Sequence, residues 1–171
     1  SVGILVPVVE SREKFDEFAI HCFYPPVGKR GLGLVRANFW GDSLDKYFND
    51  FKPTLIAQIE TQEGAKNIEE ILLSPFLDGI MIGPYDLSAS LHKPGKFKDK
   101  EFKKTCDSIL IAAKKHQKKI GYHQVQPDLS ELKKRIDEKY DFVVYGTDIV
   151  AMRHALSIRD LGNIKNIKTK K

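Results

Sequence analysis

Residues 78–91 read DGIMIGPYDLSASL, an apolar run that stops at Gly-Pro and is followed at once by a carboxylate. The segment 78–82, DGIMI, has the length and composition of a strand that is buried on both faces. The run stops at Gly83-Pro84, and Asp86 precedes the next predicted helix. Asp86 therefore lies where a buried strand gives way to a helix.

Working outward, four more apolar segments predict strands of the same kind, at 3–9, 54–60, 119–124 and 141–145. The segments between them carry apolar residues at helical spacing, and the longest predicted helix covers 99–117. Strands that alternate with helices are typical of an α/β fold with a parallel sheet. Three further helices are predicted. In the first, Ser11 is the N-cap and the apolar stripe is Phe15, Phe18, Ala19 and Cys22; in the second, the stripe is Ala65, Ile68, Ile71 and Leu72. In the third, Asp128 and Glu131 form a capping pair, and the stripe is Leu129, Leu132 and Ile136.

One segment interrupts this alternation. Residues 23–53 contain Pro-Pro and several glycines before a short predicted helix. A connection of this length inside a compact domain is usually functional or disordered, and its aromatic residues argue against simple disorder.

Composition places the chain among single-domain proteins. The 171 residues are 42% hydrophobic and 30% charged, which suits one domain over 1–171 with a Lys-rich, flexible tail at 163–171. No apolar run approaches the roughly 20 residues needed to cross a bilayer, so no membrane partner is expected. The net charge of +5 is spread over helix faces without interleaved aromatics, which argues against a nucleic-acid partner. Cys22 and Cys106 have no pairing motif and indicate buried thiols in a reducing, cytoplasmic setting.

The strongest chemical signal is a pair of carboxylates at strand ends. In 54–60, TLIAQIE, the side chains of Ile56, Gln58 and Glu60 share one face of the strand. Ligands bind at the carboxyl ends of parallel strands, where Glu60 and Asp86 are both expected. Two neighbouring carboxylates repel unless a proton or a cation lies between them, so an oxygen-ligated Mg²⁺ or Mn²⁺ is one interpretation.

Two alternatives stay open at this point. Glu60 and Asp86 each precede a predicted helix, so each could serve only as a helix cap. His123 ends a strand at the same rim and is either a ligand-facing histidine or a packed one. The remaining histidines are expected at the surface or between helices: His21, His92, His116 and His154.

The motifs AQIET (57–61) and DGIMIGPYDLSASL resemble those of the HpcH/HpaI aldolases, metal-dependent pyruvate aldolases related to the citrate lyase β-subunit. The likeness extends over nearly the whole chain, with GILVPVVES, YPPVGKRGLGLVRA and KKRIDEKYDFVVYGTD in the same order as in that family. It implies a TIM-type (β/α)8 barrel, of which only the last five βα units are present here.

The resemblance also implies a site. Glu60 and Asp86 correspond to the ligands of a divalent metal, Mg²⁺ or Mn²⁺ with Co²⁺ also possible. Gln58 matches a glutamine near the pyruvyl group, and backbone N–H groups around Tyr85 and Asp86 would hold the pyruvate carboxylate. The implied reaction is cleavage of a 4-hydroxy-2-oxo acid to pyruvate and an aldehyde, in a homo-oligomer. Tyr85 either shapes that pocket or packs under the loop, and Lys29 and Arg30 either meet an anionic aldehyde or form a solvated basic turn.

This sequence departs from the family at its beginning. It opens at what resembles the fourth of eight strands, and the family's catalytic base and arginine lie on the earlier strands, so no catalytic residue is identified. Three explanations are open: a fragment, a longer protein without its first portion, or a partial barrel completed by another chain. The rival functions are a non-enzymatic barrel half that binds a 2-oxo acid or a partner subunit, and a lyase acting on a CoA thioester.

Overall fold

A computed structural model describes residues 3–156 of the chain. Its centre is a sheet of five parallel strands, curled like part of a barrel and ordered as in the sequence. The strands are β1 (Gly3–Val6), β2 (Thr54–Ile59), β3 (Gly79–Ile82), β4 (Lys119–Gln124) and β5 (Phe142–Tyr145). All five predicted strands are therefore confirmed, and each neighbouring pair in the sequence is a hydrogen-bonded pair in the sheet.

The helices lie between the strands in the chain. They are α1 (Arg12–Ala19), α2 (Leu44–Asp50), α3 (Gln62–Lys66), α4 (Ile68–Ile71), α5 (Pro84–Ser90), α6 (Lys100–Lys115), α7 (Leu129–Asp137) and α8 (Asp148–Ala155). The side chains of Ser11 and Asp128 accept hydrogen bonds from the first turns of α1 and α7, which confirms both predicted N-caps. No helix among the described residues is long and apolar enough to cross a membrane.

The core lies on one face of the sheet. Leu55, Ala57 and Ile59 of β2 are fully buried on the face that carries the helices, as are Ile80 and Ile82 of β3. The opposite face, called the inner face below, carries the alternate residues of each strand. The register pairs Gln58 with Met81 there, and Met81 with Gly121. The alternation read from the sequence thus separates a dry core face from a face with polar side chains.

Two aspartates fix the starts of β3 and β5 in the same way. Asp78, just before β3, accepts a hydrogen bond from the backbone N–H of Leu55 at 2.8 Å. Asp141, just before β5, accepts one from the N–H of Ile120 at 3.0 Å. The N–H of Asp78 in turn donates to the carbonyl of Leu55, and the N–H of Asp141 donates to the carbonyl of Ile120. The strands β3 and β5 were predicted to begin at Asp78 and Asp141, and each begins one residue later. In both cases the aspartate side chain, and not a strand carbonyl, accepts the N–H of the neighbouring strand.

The predicted apolar stripes fail near the sheet edges. Phe18 of α1 is 40% exposed and Ile136 of α7 is 59% exposed, although both were expected to pack inward. These helices lie beside β1 and β5, which have no further strand next to them in the described chain. The tail at 163–171 lies outside the described residues.

The 23–53 segment is ordered around aromatic side chains. The rings of Tyr47, Phe48 and Phe51, all on or next to α2, pack against Tyr24 with centroids 4.6 to 6.1 Å apart. A short 3₁₀ segment, Arg36–Gly41, precedes α2. The expectation that this segment is not simply disordered agrees with this packing.

Candidate metal and substrate site

Glu60 follows directly after β2 and is only 5% exposed. Its Oε1 accepts a hydrogen bond from the backbone N–H of Val8 at 2.8 Å. Its Oε2 accepts one from Nε2 of Gln58 at 2.5 Å. The strand places Gln58 and Glu60 on the same face, so the amide two residues earlier orients the carboxylate.

The helix-cap alternative is wrong for Glu60. The hydroxyl of Thr61 accepts a hydrogen bond from the N–H of Gly64 and thereby caps α3. Asp86 does not cap α5 either, because it lies inside the first turn of that helix, after Gly83 and Pro84. Both carboxylates are therefore left for another role.

The backbone of Gly83, just after β3, is hydrogen-bonded to the end of β2. Its N–H donates to the carbonyl of Ile59 at 3.1 Å, directly before Glu60. A Cβ at this position would lie 2.8 Å from Oε2 of Glu60 and 2.8 Å from Nε2 of Gln58. Glycine is required here because the backbone leading to α5 passes directly over this carboxylate and amide. Asp86 is exposed and lies three residues farther along, so the chain brings both acidic positions to one rim.

The chemistry of these donors fits a hard divalent cation. Glu60 is a buried carboxylate with two hydrogen-bond donors, yet within residues 3–156 no Lys, Arg or His pairs with it. A buried charge without a counter-charge is costly, and a cation at the rim would supply one. The described residues hold no cluster of three or more His, Cys, Asp or Glu that could bind a metal. Two carboxylates suit Mg²⁺, which keeps several water ligands.

The first turn of α5 supplies further donors. Pro84 has no N–H, and the helix has no side-chain cap, so the N–H groups of Tyr85 and Asp86 have no acceptor among the described residues. The ring of Tyr85 stands edge-on to Phe97 at 4.9 Å and is 42% exposed. Of the two interpretations of Tyr85, packing against a loop is the one with an observed contact.

His123 lies on the inner face of β4, paired with Val144 of β5. Its Nε2 is buried and has no hydrogen-bond partner in the described part of the chain. This histidine lines a cavity of about 510 Å³, which is also lined by Pro84 and Tyr85 but not by Glu60. That His123 contacts a ligand remains a prediction, and the unpaired ring nitrogen among the described residues is consistent with it.

The side chains of Lys29 and Arg30 have different surroundings. The Arg30 guanidinium lies 4.8 Å from the ring centroids of both Tyr24 and Phe51. Arg30 is therefore anchored in the aromatic cluster and is not part of a freely solvated turn, whereas Lys29 is exposed. A contact of either residue with an aldehyde substrate remains a prediction.

Sequence reasoning missed three groups in this region. The Val8 N–H is a backbone donor 52 positions from Glu60, and no sequence pattern marks such a group. Gln124 and Arg135 form part of the cavity wall, and Arg135 had only the appearance of a surface residue on a charged helix.

Known proteins are similar to this chain in sequence and in fold. Residues 2–155 match the family described as HpcH/HpaI aldolase/citrate lyase. A 5-keto-4-deoxy-D-glucarate aldolase of Escherichia coli O157:H7 is 32% identical over 155 residues, 90% of this chain and 60% of that protein. A family protein from Burkholderia cenocepacia superposes with a TM-score of 0.86 at 23% identity, over 96% of this chain and 65% of the other.

A more distant structure is the citrate lyase β subunit of M. tuberculosis, solved with oxaloacetate and magnesium. It has a TM-score of 0.54 at 17% identity and covers 87% of this chain and 57% of that one. The chain spans about 60% of the length of the curated relatives that it matches. Because the family match covers almost all of its residues, this chain belongs to the HpcH/HpaI aldolase/citrate lyase family.

Proposed function

We propose that these residues form the metal-binding part of a lyase that cleaves 4-hydroxy-2-oxo acids to pyruvate and an aldehyde. The observation that carries the proposal is Glu60 at the end of β2, a buried, oriented carboxylate that no cationic side chain of residues 3–156 pairs with. The names of the relatives support this class of reaction, since they include a 5-keto-4-deoxy-D-glucarate aldolase. Magnesium in the M. tuberculosis structure supports the choice of cation for this fold.

In this proposal Glu60 and Asp86 hold the cation, which is Mg²⁺ or Mn²⁺. When bound, the metal stabilises the negative charge that develops on the 2-oxo acid as the carbon–carbon bond breaks. Gln58 keeps the Glu60 carboxylate in place through the hydrogen bond from its Nε2. The N–H groups of Tyr85 and Asp86 receive the pyruvate carboxylate, because no carbonyl of the described chain occupies them.

Cleavage also needs a base that takes the proton of the 4-hydroxyl group. The family resemblance assigns that base and an arginine to strands that are not among these 171 residues. Leu5 and Val144, on the inner face of the two edge strands, are 42% and 39% exposed, which favours a further segment over this face. The alternative is a non-enzymatic barrel half that binds a 2-oxo acid or a partner subunit. The exposed apolar side chains of Leu5 and Val144 are equally consistent with it.

The test combines binding and turnover. Isothermal titration calorimetry with pyruvate, with and without Mg²⁺, is expected to show metal-dependent binding that Glu60→Gln abolishes and Glu63→Gln retains. Glu63 is an exposed carboxylate one turn away, so it controls for charge. Pyruvate release from 4-hydroxy-2-oxo acids is expected to be slow with these 171 residues alone. Rapid release would contradict that assignment of the base, and metal-independent pyruvate binding would contradict the proposal itself.

A further inference from the structure

The cavity of about 510 Å³ lies next to the rim but outside the Glu60 region. Its walls come from the start of α5, the loop from Gly95 to Asp99, the end of β4 and the first two turns of α7. Its volume is within the range of small-molecule sites, about 300 to 1,000 Å³. Neither proposed metal ligand lines it, but Tyr85 does, so the cavity adjoins the proposed pyruvate position without including the metal position.

Three buried side-chain atoms lack a hydrogen-bond partner among residues 3–156, and all three belong to residues of this wall. They are Nε2 of His123, Oε1 of Gln124 and Nε of Arg135. His123 lies on the inner face of β4, whereas Gln124 and the Arg135 guanidinium, which stacks on Tyr122, lie on the helix-bearing face. Buried polar atoms in native proteins are nearly always paired, so the unpaired atoms of Gln124 and Arg135 indicate a polar ligand in this cavity.

Gln124 is the most informative of the three because it is only 6% exposed. Its Nε2 donates to the carbonyls of Gln126 at 3.0 Å and Asp128 at 2.7 Å. Those two acceptors fix which end of the amide is nitrogen. The remaining Oε1 is therefore an acceptor that no donor of residues 3–156 reaches, and it would accept an N–H or O–H group of the ligand.

Arg135 provides the complementary donor. Its Nη1 donates to Glu138 and its Nη2 donates to Glu131, at 2.5 and 3.2 Å. Its guanidinium carbon lies 4.3 Å from the Tyr122 ring centroid. Both terminal nitrogens and one face of the guanidinium are engaged, which holds it rigidly. Its buried Nε–H is a donor that has no acceptor among residues 3–156.

The charges around the cavity favour an anion. Lys96, Lys98 and Lys103 line it, and none of them forms an ion pair in the described part of the chain. The nearby acidic groups are already engaged, since Asp99 caps α6 and Asp128 caps α7. Three uncommitted ammonium groups suit a group with more than one negative charge, such as a phosphate chain.

The apolar part of the wall is aromatic. Phe97 is half-buried between Tyr85 at 4.9 Å and Phe102 at 5.5 Å, measured between ring centroids. Aromatic side chains bind planar rings such as nucleobases by stacking. We propose that this cavity binds a nucleoside phosphate, with the base against Phe97 and its polar edge towards Gln124 and Arg135, and with the phosphates at the three lysines.

The test is calorimetric titration of the 171-residue chain with ADP in the presence of EDTA, so that no metal contributes. Saturable binding is expected. Lys103→Ala should weaken it by about tenfold through loss of one charged contact. Lys104→Ala is the matched control, because Lys104 is the next residue of α6, equally exposed, and does not line the cavity.

Two further arms identify the ligand. Phe97→Leu is expected to weaken ADP by about fivefold or more through lost stacking, while leaving inorganic pyrophosphate unaffected. Glu60→Gln is expected to leave ADP binding unchanged, which separates this site from the metal site. Absence of saturable binding would overturn the proposal, as would equal weakening by Lys103→Ala and Lys104→Ala. Pyrophosphate binding as tightly as ADP would overturn the nucleoside part.

Discussion

The backbone N–H of Val8 donates to Oε1 of Glu60 at 2.8 Å, and Val8 has a φ of +53° in order to do so. A β-branched residue rarely adopts this left-handed conformation. Strained residues of this kind concentrate at functional sites. The contact ties the turn after β1 to the carboxylate after β2, and so it orients the proposed metal ligand from two directions.

Val8→Gly tests whether this strain is real. Val8 is 54% exposed, so little packing is lost, and glycine adopts positive φ without the Cβ clash. We expect the free energy of unfolding to stay level or rise by about 1 kcal/mol, because the relief of 1–2 kcal/mol is partly offset by the flexibility of unfolded glycine. Urea denaturation followed by circular dichroism measures this.

Val35→Gly is the matched control, because Val35 is 42% exposed and has a φ of −133°. It should lower stability by about 0.5–1 kcal/mol. A loss from Val8→Gly as large as that from Val35→Gly would show that position 8 is not strained.

Gly83→Ala tests the close approach over Glu60. The φ of −95° at Gly83 is allowed for alanine, so any effect comes from contact and not from backbone conformation. The added Cβ would meet Glu60 and Gln58 at 2.8 Å, and we expect a loss of about 1–3 kcal/mol together with weaker metal binding. Gly31→Ala is the control, since a Cβ there meets nothing within 4 Å. Wild-type Mn²⁺ affinity in Gly83→Ala would argue against a metal at Glu60.

Asp141 predicts a stability change with pH. The Ile120 N–H, and then Lys119 and Lys114, lower the pKa of Asp141. A carboxyl group whose pKa is lowered by folding stabilises the native state above its unfolded pKa of about 3.9, and this contribution disappears as pH falls through the lowered value. Asp141→Asn should therefore destabilise the protein at pH 7 and flatten the decline in stability at acidic pH.

The control for that experiment is Asp137→Asn, on the exposed side of α7. It should leave the unfolding curve measured at each pH nearly unchanged. An Asp141→Asn variant with the wild-type dependence on pH would show that the hydrogen bond to Ile120 does not act on this carboxyl group.

The two cysteines are expected to be unreactive in the folded protein. Burial raises the pKa of Cys106 to about 12 and also raises the pKa of Cys22. Because the thiolate is the reactive form, both thiols should resist Ellman's reagent at pH 8 until the chain is unfolded. Rapid labelling of either cysteine before unfolding would contradict its burial.

Much of this fold could be predicted because parallel strands have a simple signal. The alternation in β2 assigned Gln58 and Glu60 to one face, and the order of segments predicted neighbouring strands. Phe18 and Ile136 were wrongly expected in the core because apolar spacing does not report whether a helix has a neighbour to cover it. The Val8 N–H and the amide oxygen of Gln124 had no signal, since backbone donors and unpaired atoms are properties of the folded chain.

The most direct test of the central claim is Mn²⁺ binding followed by electron paramagnetic resonance of the free ion. The account predicts saturable binding that Glu60→Gln weakens by at least about tenfold, while Glu63→Gln leaves it intact. Asp86→Asn should weaken binding in the same direction, as expected for a second ligand. Equal Mn²⁺ affinity in wild type and Glu60→Gln would contradict the account.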